Sequence, residues 1–280
     1  MDDKTKKELK IFATKARMGV IEGVYNAKAG HPGGSLSICD VLSYLYNVEM
    51  NVDPKNPKMD NRDRLVLSKG HAAPALYATL ALKGYFPVED LKTLRKSNSY
   101  LQGHPNMDKT PGIDMSTGSL GQGVSAAVGM ALGAKLQNKD YRVYTILGDG
   151  EIEEGQVWEA AMFAGNRNLD NLLAFVDNNN LQIDGTCEEV NAPYPIGEKF
   201  AAFNWNVIEC CGHCMTELEK AVKKAKETKG KPTVIVMKTV KGKGVSFMED
   251  ACAWHGTAPN EEQYNIAMKE LSEKLNELEA

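Results

Sequence analysis

The stretch "ILGDGEIEEG" at 146–155 ends an apolar run in an aspartate held between Gly148 and Gly150, and "DNNN" at 177–180 ends a second such run. A carboxylate and a carboxamide on neighbouring strand ends are hard oxygen ligands of the kind magnesium accepts, alongside phosphate oxygens and water. Flanking glycines let the backbone approach a phosphate, and the helix that follows points its positive end there. Asp149 and Asn179 therefore imply a site for a metal–diphosphate ester. Imidazole supplies the second chemistry. Of five histidines in the chain, His31, His71, His104 and His255 sit beside glycine or proline in loop-like stretches. Imidazole is the side chain best suited to moving protons near neutral pH.

The elements that must position these groups follow from periodicity. The N-terminal third reads mostly as helix, including "SLSICDVLSYLYNV" after a serine placed to cap it. "DRLVLSKGH", "YRVYTILGD", "NLLAFVDNN", "WNVIECCG" and "PTVIVMKTV" read as strands, with helices between them. The small residues of "GQGVSAAVGMALGAKLQ" predict a helix packed closely on a sheet. Apolar strands alternating with helices predict an α/β fold: a doubly wound, mostly parallel sheet with helices on both faces. Residues 1–280 show no repeat, low-complexity tract or linker and read as a single domain, with an amphipathic C-terminal helix over 260–280. In such sheets ligands bind at the carboxyl ends of strands. "SKGH", "LGDGE", "DNNN" and "KGKG" all follow strands and converge on that edge.

Composition excludes other classes. A formal net charge of −4 and no Lys/Arg cluster argue against nucleic acid as partner. No apolar stretch approaches the roughly 20 residues that span a bilayer, and "MDDKTKKELK" lacks the apolar core of a signal peptide. Six cysteines in a chain this long are no disulfide framework and point to a reducing, cytoplasmic setting.

"GDG", 28 residues and then "N" resembles the signature of thiamine-diphosphate enzymes. "AKAGHPGGSLS" at 27–37, "LSKGHAAPALY" at 67–77, "GHP" at 103–105, "STGSLGQGVSAAVGMA" at 116–131, "NNLQIDG" at 179–185 and "WHGTAP" at 254–259 then fall in the order of the N-terminal half of transketolase. The resemblance covers nearly the whole chain. It implies the thiamine-diphosphate-binding fold, in the form of its diphosphate-side (PP-type) domain. It implies thiamine diphosphate and Mg2+ (or Ca2+) as cofactors, with Asp149, Asn179 and the carbonyl of Leu181 as metal ligands. Gly148, Gly150 and His255 would face the diphosphate, and Gly118, Ser119 and Leu120 the aminopyrimidine. His31 and His255 would move protons at the substrate hydroxyl beside the bond being cut. His104 would hold the donor's first hydroxyl, and His71 would line the cofactor. Glu154 matches a glutamate that couples two cofactor sites across an interface.

The second half of that pattern, with its pyrimidine-binding glutamate and most sugar-phosphate arginines, has no counterpart here. The resemblance therefore implies one subunit of a two-chain, α2β2 transketolase of the pentose phosphate pathway, inactive without a C-terminal partner that supplies the pyrimidine half-site. Its substrates would be a ketose phosphate and an aldose phosphate. The rivals are the α subunit of a 2-oxo acid dehydrogenase E1, a two-chain transketolase for an unusual branched sugar phosphate, and a non-catalytic diphosphate-binding module. The ordered histidine motifs argue against the first, and the intact Asp149, Asn179 and histidines against the last.

Three further signals read as structure. "GQGVSA" at 121–126 imitates a dinucleotide fingerprint but follows no apolar strand. "CGHC" at 211–214 is a C-x-x-C between strand and helix, read here as a turn that caps the helix rather than a redox pair. Trp158 and Trp205 read as core.

Overall fold

In the computed structural model, which describes residues 1–280, five strands form one sheet. They are β1 (Arg64–Leu67), β2 (Val143–Gly148), β3 (Leu172–Asn178), β4 (Asn206–Cys211) and β5 (Thr233–Lys238), in the order β1-β2-β3-β5-β4. Every pairing is parallel. The helices are α1 (Asp3–Ala27), α2 (Pro32–Leu36), α3 (Cys39–Tyr44), α4 (Ala73–Lys83), α5 (Gln122–Leu136), α6 (Gly155–Asn166), α7 (Cys187–Asn191), α8 (Ile196–Ala202), α9 (Met215–Glu227) and α10 (Glu261–Glu279).

Successive strand residues point to opposite faces, and the core divides accordingly. Leu173 and Phe175 of β3 join Tyr144, Ile146, Ile235 and Met237 in a cluster with the apolar sides of α1, α3, α4 and α9. Leu172, Ala174 and Val176 of the same strand join Val143, Leu147, Val234 and Val236 in a second cluster under α5, α6 and α8. Both faces of the sheet are thus covered, which is why β1, β2, β3 and β5 are buried without alternation, whereas edge strand β4 is mostly half-buried.

Two expectations need correction, and two helices go beyond them. The helix expected over "SLSICDVLSYLYNV" is broken into α2, α3 and a π-helical turn at Leu45–Glu49. It starts earlier than its serine because Pro32 occupies the first turn, where a fixed φ and a missing N–H cost nothing. Ser35 is no cap; its hydroxyl donates to the carbonyl of His31 at 2.7 Å. The close packing expected along α5 holds at Gly123, where an added Cβ would meet Ser68 Cα at 2.6 Å. Gly129 and Gly133 instead face open space. Lastly, α7 and α8 were not read from the sequence, although α7 opens with a Thr186/Glu189 capping box. Trp205 is buried and its indole N–H donates to the Ala161 carbonyl at 2.9 Å, while Trp158 is half-buried against Phe200.

Candidate active site

The carboxyl ends of β1, β2, β3 and β5 lie side by side, and the loops beyond them enclose a cleft of about 260 Å³. His31, His71, His104 and His255 all line it, as do Gly118, Leu120, Gly148, Asp149, Gly150, Asn179 and Leu181. Ser119 and Glu154 are exposed and do not line it; Glu154 lies against Gly121 at the start of α6. A larger hollow of about 820 Å³ beside β4 shares Asn179 and Leu181 but holds no histidine. The smaller cleft is where the chemistry-bearing groups converge.

Four imidazoles separated widely in sequence meet here. The ring centroid of His31 lies 5.3 Å from that of His71, 5.4 Å from His255 and 6.1 Å from His104, and His71 lies 5.2 Å from His255. Burial lowers all four pKa values, since the charged ring loses hydration. Neighbouring cations lower them further. His31 falls to about 4 through burial and then Arg95, and His255 to about 3 through burial and then Lys241. The rings are therefore neutral bases at physiological pH. The Lys241 ammonium sits 3.0 Å from His255 Nδ1, which makes that nitrogen the acceptor and leaves the proton on Nε2. His31 Nδ1 is buried with no hydrogen-bond partner in the chain.

The acidic side of the cleft is held from beneath. Asp149 Oδ1 accepts from the Gly150 N–H at 2.9 Å and Oδ2 from the Asn180 N–H at 2.5 Å. Burial, then the neighbouring charge of Asp177, pushes the Asp149 carboxyl up to about 6, and no ammonium or guanidinium pairs with it. Asn179 Nδ2 donates to Asp177 Oδ2 at 3.0 Å, which fixes the amide orientation, while its Oδ1 accepts from the Leu181 N–H at 3.1 Å. The Leu181 carbonyl accepts from Lys241 Nζ at 3.0 Å and so already faces a cation.

These groups fit a hard divalent cation and a diphosphate. A buried carboxylate lacking a counter-ion, an oriented amide oxygen and a carbonyl facing a cation form an oxygen donor set of the magnesium or calcium type. The clustered imidazoles are not arranged to cage an ion such as zinc, and no three His, Cys, Asp or Glu side chains are. Close backbone approach is provided by glycine. An added Cβ at Gly150 would meet Gln182 Cβ at 3.1 Å, one at Gly34 would meet His71 Nε2 at 3.1 Å, and one at Gly118 would meet the His104 ring at 3.2 Å. Lys69 and Lys241 bring positive charge to the same floor.

Sequence reasoning missed Lys69, Lys241, Asp177, Glu151 and Arg95. The two lysines stood within "SKGH" and "KGKG", strand ends already marked as converging, so their signal was present. Arg95 had none. It stays outside the cleft, but residues 95–103 fold back and place its guanidinium against Gly103, where an added Cβ would meet Arg95 Cζ at 2.7 Å, near enough for its charge to lower the His31 and His104 pKa values.

"CGHC" is a turn, with the Cys214 N–H bonded to the Cys211 carbonyl at 3.2 Å. The expected capping is absent: Cys214 at the N-cap makes no side-chain bond to α9. His213 is instead a bolt. Its Nδ1 meets Asp40 Oδ2 at 2.8 Å and its Nε2 accepts from the Val240 N–H at 2.9 Å.

Comparison with known proteins agrees with this geometry. The family model described as "Transketolase, thiamine diphosphate binding domain" matches residues 9–276. The 6-deoxy-6-sulfo-D-fructose transketolase subunit SqwG of Clostridium sp. (strain MSTE9) is 51% identical over 267 residues, covering 95% of this chain and 97% of its own. An apulose-4-phosphate transketolase subunit of Phocaeicola vulgatus is 45% identical, covering 97% of this chain and 96% of its own. Against the transketolase of Rattus norvegicus the identity is 42%, and only 40% of that protein's length is covered. The crystal structure of transketolase from Campylobacter jejuni superposes with a TM-score of 0.90 at 36% identity, covering 97% of this chain and 43% of that one. The chain thus matches relatives named as subunits over nearly their full length and spans under half of the long transketolases. It belongs to the transketolase family, as a thiamine-diphosphate-binding domain of the N-terminal type.

Proposed function

We propose that this chain is the diphosphate-binding subunit of a two-chain, α2β2 transketolase that moves a two-carbon ketol unit from a ketose phosphate to an aldose phosphate. The supporting observation is the meeting of His31, His71 and His255 within 5.4 Å of one another in a cleft shared with Asp149 and Asn179. Asp149, Asn179 and the Leu181 carbonyl hold Mg2+ (or Ca2+), and Lys69 and Lys241 offset the diphosphate charge. Gly118 and Leu120 face the pyrimidine side, with Ser119 turned out of the cleft between them, and Gly148 and Gly150 face the diphosphate. When bound, thiamine diphosphate supplies the electron sink for carbon–carbon cleavage.

The chain's own part is orientation and proton transfer. His31, neutral at physiological pH and lining the cleft, takes the proton of the substrate hydroxyl beside the breaking bond. His255, held by Lys241 with its proton on Nε2, donates a hydrogen bond from that nitrogen to the same hydroxyl oxygen while His31 carries the proton. His104, exposed at the rim, holds the donor's first hydroxyl, and His71, deeper in the cleft, lines the cofactor. Glu154, outside the cleft, faces the second cofactor site across the subunit interface. Residues 1–280 act as one domain, in the cytoplasm, and the partner supplies the pyrimidine half-site and most of the sugar-phosphate contacts.

A second reading keeps the chemistry and changes the sugar. It is favoured by the two relatives above, whose names specify 6-deoxy-6-sulfo-D-fructose and apulose 4-phosphate rather than a common pentose. The test for both is to co-purify this chain with its native partner and assay ketol transfer with ketose phosphates, branched-sugar phosphates and sulfonated ketoses as donors. Transfer from an unbranched phosphorylated ketose supports the first reading, and transfer confined to a branched or sulfonated donor supports the second. Acyl transfer to a lipoyl carrier would overturn both.

A further inference from the structure

We propose that Glu151 is a positioning residue whose single carboxylate holds three cofactor-facing segments in register. The inference rests on reading the cleft as a thiamine diphosphate site. Glu151 is 2% exposed and lies two residues beyond Asp149, in the short turn Glu151–Glu153. Its Oε1 accepts from the Ser68 hydroxyl at 2.6 Å and from the Gly121 N–H at 3.0 Å. Its Oε2 accepts from the Gly148 N–H at 3.0 Å. Ser68 in turn accepts from the Val124 N–H at 3.0 Å, in the first turn of α5.

Each tethered residue borders a different wall of the cleft. Ser68 precedes Lys69 and His71, Gly121 follows Gly118 and Leu120, and Gly148 precedes Asp149. The diphosphate wall, the pyrimidine wall and the histidine wall thus share one buried anchor. The second wall needs it most, because Gly118 and Gly121 hold φ of 154° and 81°, conformations that leave the loop little support of its own. All three donors to Glu151 are neutral, so its charge is buried without an ion-pair partner. Burial raises its carboxyl pKa, with Ser68 opposing the shift. A buried carboxylate in that condition is costly. What it offers in return is acceptor capacity on both oxygens at once, which no amide can match. Glutamine here would have to turn its NH2 toward either the Gly148 or the Gly121 N–H, releasing one wall.

The test uses the holoenzyme reconstituted with its native partner, comparing wild type, Glu151→Gln, Glu151→Asp and the exposed-site control Glu188→Gln. For each, the half-saturating thiamine diphosphate concentration at fixed magnesium, kcat at saturating cofactor and the thermal midpoint are measured. Glu151→Gln should raise half-saturation by about 10- to 100-fold, the usual consequence of losing an outer-shell support, with kcat at saturation falling far less. Glu151→Asp keeps both acceptor oxygens on a shorter arm and should fall between the two. It also carries the test if the glutamine variant does not fold. A thermal midpoint that drops while half-saturation stays at the wild-type value would overturn the positioning role and leave a structural one. Wild-type holoenzyme that transfers ketol units without thiamine diphosphate would overturn the functional reading itself.

Discussion

Lys69 Nζ lies 2.5 Å from Asp177 Oδ2, with both side chains withdrawn from solvent. The pair is a junction as well as an ion pair. Lys69 also donates to the Gly34 carbonyl at 2.7 Å, and Asp177 accepts from Ser37, Asn179 and Thr239. Burial favours a neutral Asp177, but Lys69 and these donors outweigh it and hold the carboxyl below its usual range. Asp177 thereby keeps the charge that fixes the Asn179 amide.

Removing one partner should therefore do two kinds of damage. Asp177→Asn leaves the Lys69 ammonium buried without a counter-charge, a loss of about 3–5 kcal/mol, read as a lowered midpoint in urea unfolding. Replacing both, Lys69→Met with Asp177→Leu, should recover much of that stability because neither member of the pair is left as an unpaired buried charge. It should not recover metal-dependent cofactor binding, since Asn179 loses its orienting acceptor. A double variant that binds cofactor as wild type does would show that the junction serves the fold alone.

The depressed histidines set a pH window. His31 has a folded pKa of about 4 against roughly 6.5 unfolded. A base whose folded pKa is depressed contributes stability that is complete above about pH 6.5 and lost as pH falls toward 4. In a proton NMR titration of the chain, the His31 ring should stay neutral from pH 8 to about 5. Arg95→Met, which removes the second cause of the shift, should move its titration upward. A His31 titration centred near 6.5 in wild type would contradict the buried, cation-flanked environment.

Much of this site was readable because a parallel sheet forces strand ends together. Gly148–Gly150 and the asparagines after Asp177 could be joined from the pattern of apolar runs alone, and all five strands were visible in it. The order of the strands was not. Placing β5 rather than β4 beside β3 brings Thr239 onto Asp177 and Lys241 under Leu181, and no local pattern encodes that choice. Lysine compounds the difficulty, since its default setting is solvent and both Lys69 and Lys241 are buried. Glu151 was hidden differently: as one of three glutamates at a helix start it reads as favourable surface charge, and only its three donors reveal a buried anchor.

His213 is predicted to matter where its neighbouring cysteines do not. His213→Ala would leave the Val240 N–H without its acceptor and Asp40 without one of its donors. Asp40 remains paired with Arg17, so the expected loss is about 1–3 kcal/mol, measured by chemical denaturation. Cys211→Ser with Cys214→Ser should leave both stability and ketol transfer unchanged, with or without dithiothreitol. Activity that responds to dithiothreitol in wild type and not in that variant would give the C-x-x-C a redox role.

The division of labour between the two polypeptides predicts separable binding and turnover. Every group assigned to the metal and diphosphate, from Asp149, Asn179 and Leu181 to Lys69 and Lys241, is carried by this chain and already bonded in place. Magnesium with inorganic diphosphate should therefore raise the thermal midpoint of the isolated chain, since a ligand at about 100 times its Kd stabilises by about 2.7 kcal/mol. Chelation with EDTA should abolish that rise, as should Asp149→Ala. Ketol transfer should be absent from the isolated chain, because the pyrimidine half of the cofactor has no partner surface. It should appear on titration with the C-terminal partner, saturating at one equivalent. Turnover by the rigorously purified single chain would refute the split-site reading. A chain that ignores magnesium diphosphate would place the metal site elsewhere.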